Sequence, residues 1–203
     1  MPLVTNDQGL VLGEDGKARP PWASVDPLLQ KYYDEEWGMP IYDEHGMYER
    51  VVLEGFQVGL SWATILRKRE SFRAAFDHFE VDTVANYGED KIEELLENAD
   101  IIRNRAKITA AITNAQATQN LRDEGGLSEL IWSFKPKETP KPRTVDEIES
   151  VSDESIAMTK ALKKKGFTFV GPVSMYALME AVGMIDNHVM GSYRRGSSGI
   201  WPE

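Results

Sequence analysis

The sequence contains no cysteine and only three histidines among 203 residues. Without a thiol there is no disulfide framework, no thiolate nucleophile and no cysteine-built zinc or iron–sulfur site. Long apolar runs are missing as well. The richest stretch, Met175 to Ile185, is interrupted by Glu180 and falls far short of the roughly 20 residues a membrane helix needs. The first twenty residues carry acidic side chains and glycines where a signal peptide carries a basic start and an apolar core. A cytoplasmic protein with no membrane contact is the expectation. There is no sustained period-two alternation, no internal repeat and no low-complexity tract, which argues against a sheet-built fold. An excess of basic residues is lacking too: 23 Lys and Arg stand against 33 Asp and Glu, a net charge of −10.

That sum hides a division. Residues 1–98 carry net −11, residues 99–143 net +3, residues 144–154 net −5 and residues 155–203 net +3. Phosphate binding depends on the local potential at the contacting face, so the acidic total does not exclude nucleic acid. Charge alone fits a solvated acidic surface with a basic end. The length suits one domain, and a chain of this size buries enough core to fold without disulfides or metal.

Residues 1–19 are Gly- and Asp-rich and lack periodicity, and they read as a flexible tail. Residues 20–203 read as a single all-α domain with its two ends packed together. Asp43 can cap a helix running through Met47, Val51, Val52, Gly55, Phe56 and Gly59, and Ser61 can cap the next, Trp62 to about Phe76. Asp82 opens a short helix. Ile92, Leu95, Leu96 and Ala99 form one apolar stripe and Ile108, Ala111, Ile112 and Ala115 another, with Asn98 to Asn104 as a tight hairpin between them. Three prolines make Lys135 to Pro142 an extended loop. Thr144 to Glu147 has capping-box spacing. Ser152 begins a helix that Gly166 ends, and Pro172 opens a last helix that closes near Gly183.

The chemistry concentrates in the first third. Trp22, Tyr32, Tyr33, Trp37 and Trp62 lie close in sequence around Glu54, which sits inside an apolar, glycine-containing helix. A carboxylate is costly to bury there without a partner or a task, and the neighbouring glycines leave room for something flat. Periodicity by itself favours an exposed Glu54 and tryptophans that fill a core.

Trp22, Asp26-Pro27-Leu28, Tyr32-Tyr33-Asp34-Glu35-Glu36-Trp37-Gly38 and Leu53-Glu54-Gly55-Phe56-Gln57-Val58-Gly59-Leu60-Ser61-Trp62 occur in that order. Leu66 to Glu70, Ile101 to Arg105, Leu130 to Phe134, Leu162 to Phe167, Phe169 to Gly171 and Asp186-Asn187-His188 follow. This ordered set, over about residues 19–193, resembles the DNA-3-methyladenine glycosylase I family. The resemblance implies a helical bundle with a helix-hairpin-helix element. It also implies hydrolysis of the N-glycosidic bond of 3-methyladenine in alkylated DNA, after the base flips into an aromatic and carboxylate pocket.

By position, the resemblance makes Glu54 the pocket glutamate, acting by recognition or, as the lesser alternative, as a general base. It makes Tyr32, Trp62, Trp22 and Trp37 the substrate-binding aromatics. It makes the hairpin a phosphate site carried by Ile102, Arg103, Asn104, Arg105 and Lys107. Ala99-Asp100 and Arg105-Ala106 stand where the family usually has glycines; Asn98 and Asn104 can supply left-handed backbone instead, while Asp100 carries the wrong sign for phosphate. Without the resemblance these basic residues read as a solvated helix end. Many relatives tie their termini with a zinc on two cysteines and two histidines, and the matching positions are Pro20, Tyr33, His188 and Ser192. The expectation is a monomer with neither metal nor cofactor, acting on double-stranded DNA with alkylated bases and releasing free 3-methyladenine. The rival reading is a binding module that keeps the fold and cleaves nothing.

Overall fold

The computed structural model describes residues 4–201. Helices dominate: α1 Pro27–Glu35, α2 Glu44–Gln57, α3 Trp62–Ala75, α4 Val81–Val84, α5 Glu89–Glu97, α6 Arg105–Leu121, α7 Gly126–Trp132, α8 Asp153–Lys164 and α9 Pro172–Ala181. No helix among the described residues is long and apolar enough to cross a membrane. The organising element is α2, which packs against α3, α6, α7 and α9. Every residue from Met47 to Phe56 is buried, so this helix has no solvent face over its last three turns. Its Phe56 packs on Phe72, which continues through Phe76 to a stacked Phe79, and this ring cluster closes the core toward α3.

The local chemistry of the ends matches the expected boundaries. Asp43 accepts the Gly46 N–H at 2.7 Å and starts α2, and Ser61 accepts the Thr64 N–H at 3.2 Å and starts α3. Ser152 and Ser155 bond reciprocally at the start of α8, and Gly166, at φ +94°, ends it. Two boundaries differ. The short helix opens one residue early, at Val81 after Glu80. Thr144 makes no cap: the Glu147 carboxylate accepts the Arg143 N–H at 2.7 Å instead, and Val145–Glu147 is a single 3₁₀ turn.

The N-terminal segment departs furthest from expectation. Residues 5–19 form a small hairpin, with β1 (Val11–Leu12) antiparallel to β2 (Ala18–Arg19), and Leu10 is fully buried. Arg19 is only 2% exposed and reaches Asp34 on α1 through two 2.8 Å hydrogen bonds, with Asp15 on its other edge. A bidentate, buried guanidinium of this kind fastens the segment to the helical body.

Candidate active site

Helix α1 brings Tyr32, α2 brings Glu54, the first residue of α3 is Trp62, and Trp22 and Trp37 flank α1 on either side. All five border one cavity of about 410 Å³. Tyr32 and Trp62 lie with ring centroids 5.4 Å apart at 45°, and Trp22 meets Trp37 edge-on at 5.7 Å. The site residues expected on the pocket side are thus brought together without exception.

Glu54 is 4% exposed, which removes the solvated-helix reading. It takes no hydrogen bond among the described residues. Burial pushes its carboxyl up to about 8; Arg50 opposes the shift and the nearby Glu180 adds to it. The Arg50 guanidinium lies 5.7 Å from the centre of the Tyr32 ring, and it is paired with Glu36 at 3.1 Å rather than with Glu54. Burial likewise drives the Tyr32 phenol well above its ordinary range, so it stays a neutral donor. The Trp62 indole N–H is buried with no acceptor among the described residues.

The glycines act differently from expectation. A Cβ on Gly55 would meet Phe169 at 3.5 Å, so Gly55 faces a neighbouring loop, and Gly59 serves a turn at φ +79°. Sequence reasoning also missed Glu180 as a pocket residue, together with Val145, Ile148 and Ala177. The signal for Glu180 was available: like Glu54, it is a carboxylate inside an apolar helix. Burial pushes it up to about 7 against a 2.6 Å hydrogen bond from Asn187.

The hairpin lies between α5 and α6, but its five residues are not equivalent. Arg103 is exposed and free of ion pairs among the described residues. Arg105 is exposed and paired with Glu89 and Glu93 on α5. Ile102 is half-buried against the core, and Asn104 caps α6 by accepting the Lys107 N–H at 3.1 Å. Lys107 does not belong to a phosphate-binding surface. It is buried, and its ammonium donates to the carbonyls of Phe56 (2.8 Å) and Val58 (2.5 Å) at the C-terminal end of α2. The cause is electrostatic: helix C-termini present orphan carbonyls that attract a cation. Neither Asn98 (φ −75°) nor Asn104 (φ −133°) is left-handed, so the hairpin turns without the positive φ expected of it.

The positions aligned with zinc ligands do not fit a metal. Tyr33 Oη and Ser192 Oγ share a 2.5 Å hydrogen bond, His188 Nδ1 is held by Asp186 at 2.7 Å, and Pro20 has no ligating side chain.

The fold and the site together define an all-α protein that encloses an aromatic cavity with a buried carboxylate. Residues 22–195 match the family model described as methyladenine glycosylase. A curated relative, DNA-3-methyladenine glycosylase 1 from Escherichia coli (strain K12), is 43% identical over 174 residues, covering 84% of this chain and 92% of that protein. The crystal structure of a 3-methyladenine DNA glycosylase I is similar at TM-score 0.83 and 40% identity, covering 86% of this chain and 98% of that one. The structure of the Staphylococcus aureus 3-methyladenine DNA glycosylase I, solved for its recognition of 3-methyladenine, gives TM-score 0.81 at 31% identity over 84% and 93%. The chain belongs to the methyladenine glycosylase family.

Proposed function

We propose that the cavity bordered by Trp22, Tyr32, Trp37, Glu54 and Trp62 receives a flipped 3-methyladenine, and that this enzyme is the DNA glycosylase that excises it. The observation that carries the assignment is the convergence of five side chains from separate elements on one cavity, around a carboxylate with no hydrogen bond among the described residues. Alkylation at N3 makes the base cationic, and aromatic faces attract a cation. Burial pushes the Glu54 carboxyl up to about 8, which favours its protonated form near neutrality. A cationic base favours the carboxylate form, which accepts hydrogen bonds from the base's amino group.

The reaction needs little else from the protein. When the C1′–N9 bond breaks, the base departs with the bonding electrons as a neutral molecule, and water adds to C1′ and gives up a proton. The leaving group therefore requires no strong general acid, and extrusion, positioning and electrostatic stabilisation supply the catalysis. A damaged base is also cheaper to unstack than a paired one. Arg103, Asn104 and the free N–H groups at the start of α6 form the phosphate-holding face for double-stranded DNA. The working unit is a monomer in the cytoplasm.

The test is direct. The protein in excess is incubated with methylated duplex DNA, and the released bases are separated by chromatography. Release of 3-methyladenine is expected, and its absence removes the catalytic assignment.

A further inference from the structure

The hairpin of residues 5–19 lies ahead of the family match, which begins at residue 22. We propose that it is a positioning element of the base pocket, holding the wall formed by Val145 and Ile148; the proposal rests on the pocket assignment above. These two residues border the same cavity as Glu54 and Trp62. They sit in a segment with little hold of its own, a single 3₁₀ turn whose first residue lacks a cap. Among the described residues, the only backbone hydrogen bond from residues 143–151 to another part of the chain is Val145 N–H to Gln8 O, at 3.0 Å.

The contact is built from the hairpin side. Asn6 Oδ1 accepts the N–H groups of Gln8 (3.0 Å) and Leu10 (2.9 Å), which folds the turn that presents the Gln8 carbonyl. Gly9, at φ +77°, follows it so closely that a Cβ there would lie 3.2 Å from both Cβ and Cγ2 of Val145. The Gln8 side chain lies against Gly191, where no Cβ would fit. At the other end, Arg19 grips Asp34 on α1, the helix that carries Tyr32. One small hairpin therefore contacts both the Val145 wall and the helix that carries Tyr32. A pocket that reads a flat base by contact depends on the separation of its walls, and small displacements of positioning groups are costly.

Two glycines of the hairpin make a controlled comparison. Gly9 and Gly16 have similar positive φ, +77° and +74°, so alanine strains both backbones alike. A Cβ on Gly16 meets nothing within 4 Å, whereas one on Gly9 presses on Val145. Affinity for free 3-methyladenine is read by quenching of the pocket tryptophans, alongside single-turnover excision and Tm. Gly9→Ala is expected to weaken base affinity by about three- to tenfold, with the loss in KM rather than in the rate at saturating DNA. Gly16→Ala stays within about twofold of the parent, and Gly9→Ala lowers Tm by at least as much as Gly16→Ala, because its Cβ also presses on Val145. Asn6→Ala supplies a second route: it should reproduce the affinity loss, and Asn6→Asp, which keeps the acceptor oxygen, should restore it. Gly9→Ala and Asn6→Ala that bind the base as Gly16→Ala does would overturn the proposal. A parent protein that neither binds nor releases the base would instead overturn the pocket assignment.

Discussion

Glu54 and Glu180 are two carboxyls in one cavity with few groups to offset them. Arg50 is turned to Glu36, which also binds Arg69, and Tyr32 is neutral. Burial therefore sets both titrations, at about 8 and about 7. For a permanently cationic lesion, ionisation of Glu54 must accompany binding, so single-turnover excision should climb with pH between about 7 and 8. Glu54→Gln should flatten that profile and lower excision on the order of tenfold, the difference between a charged and a neutral hydrogen bond. Stability moves the other way. Between the ordinary value of 4.5 and about 8 the unfolded chain has lost a proton that the folded chain keeps, so folding weakens as pH rises through that window. Glu54→Gln should accordingly raise stability at pH 8 by about 1–3 kcal/mol over the parent. A variant with unchanged excision and an unchanged pH–stability curve would take Glu54 out of the site. Trp62→Ala should cost at least as much activity, because the ring is both a stacking face and a wall against water.

The helix carrying Glu54 is tied to the start of α6 by Lys107, and Lys107 and Arg103, four residues apart, have different tasks. Lys107→Met should destabilise the fold by about 1–3 kcal/mol, since it strands two carbonyls at the end of α2. The salt dependence of DNA affinity should remain as in the parent. Arg103→Ala should leave Tm unchanged and reduce the salt slope of DNA binding by about one. Thermal melts and DNA titrations at several salt concentrations separate the two. The difference marks where sequence reading stopped. Caps and apolar stripes are local, so Asp43, Ser61, Ser152 and Gly166 stood at element ends as their chemistry requires. The partner of Lys107 lies about fifty residues away, at Phe56 and Val58, and no local pattern distinguishes a cation that caps a distant helix from one that meets phosphate. Gly55 misled for the same reason, because its neighbour Phe169 comes from a remote loop.

At the scale of the whole molecule, the two ends of the family core are joined by side chains that pack against two of the pocket aromatics, Trp22 and Trp37. Tyr33 shares a hydrogen bond with Ser192, stacks on Trp37 at 5.6 Å and meets Trp22 edge-on at 5.4 Å. His188 packs edge-on to Trp37 at 4.7 Å, and Arg194 donates to the Trp37 carbonyl at 3.2 Å. Asp186 anchors the C-terminal loop by accepting from His188 Nδ1 and from the Gly196 N–H at 2.7 Å. Burial alone would raise the Asp186 carboxyl, but these bonds hold it below its ordinary value. Burial lowers His188, leaving it a neutral ring in a packed cluster. Thermodynamically this clasp differs from a metal. A structural zinc couples folding to metal occupancy, so a chelator unfolds such a protein. A hydrogen-bonded aromatic clasp gives each contact a modest, separable share. The protein as purified should therefore contain no stoichiometric zinc by elemental analysis, and its Tm should be the same with and without excess chelator. Tyr33→Phe should cost about 0.5–1.5 kcal/mol, and combined with Ser192→Ala it should cost less than the sum of the two single changes, because both remove one bond. Near-stoichiometric zinc, or a Tm that collapses in chelator, would show that the termini are held by a metal after all.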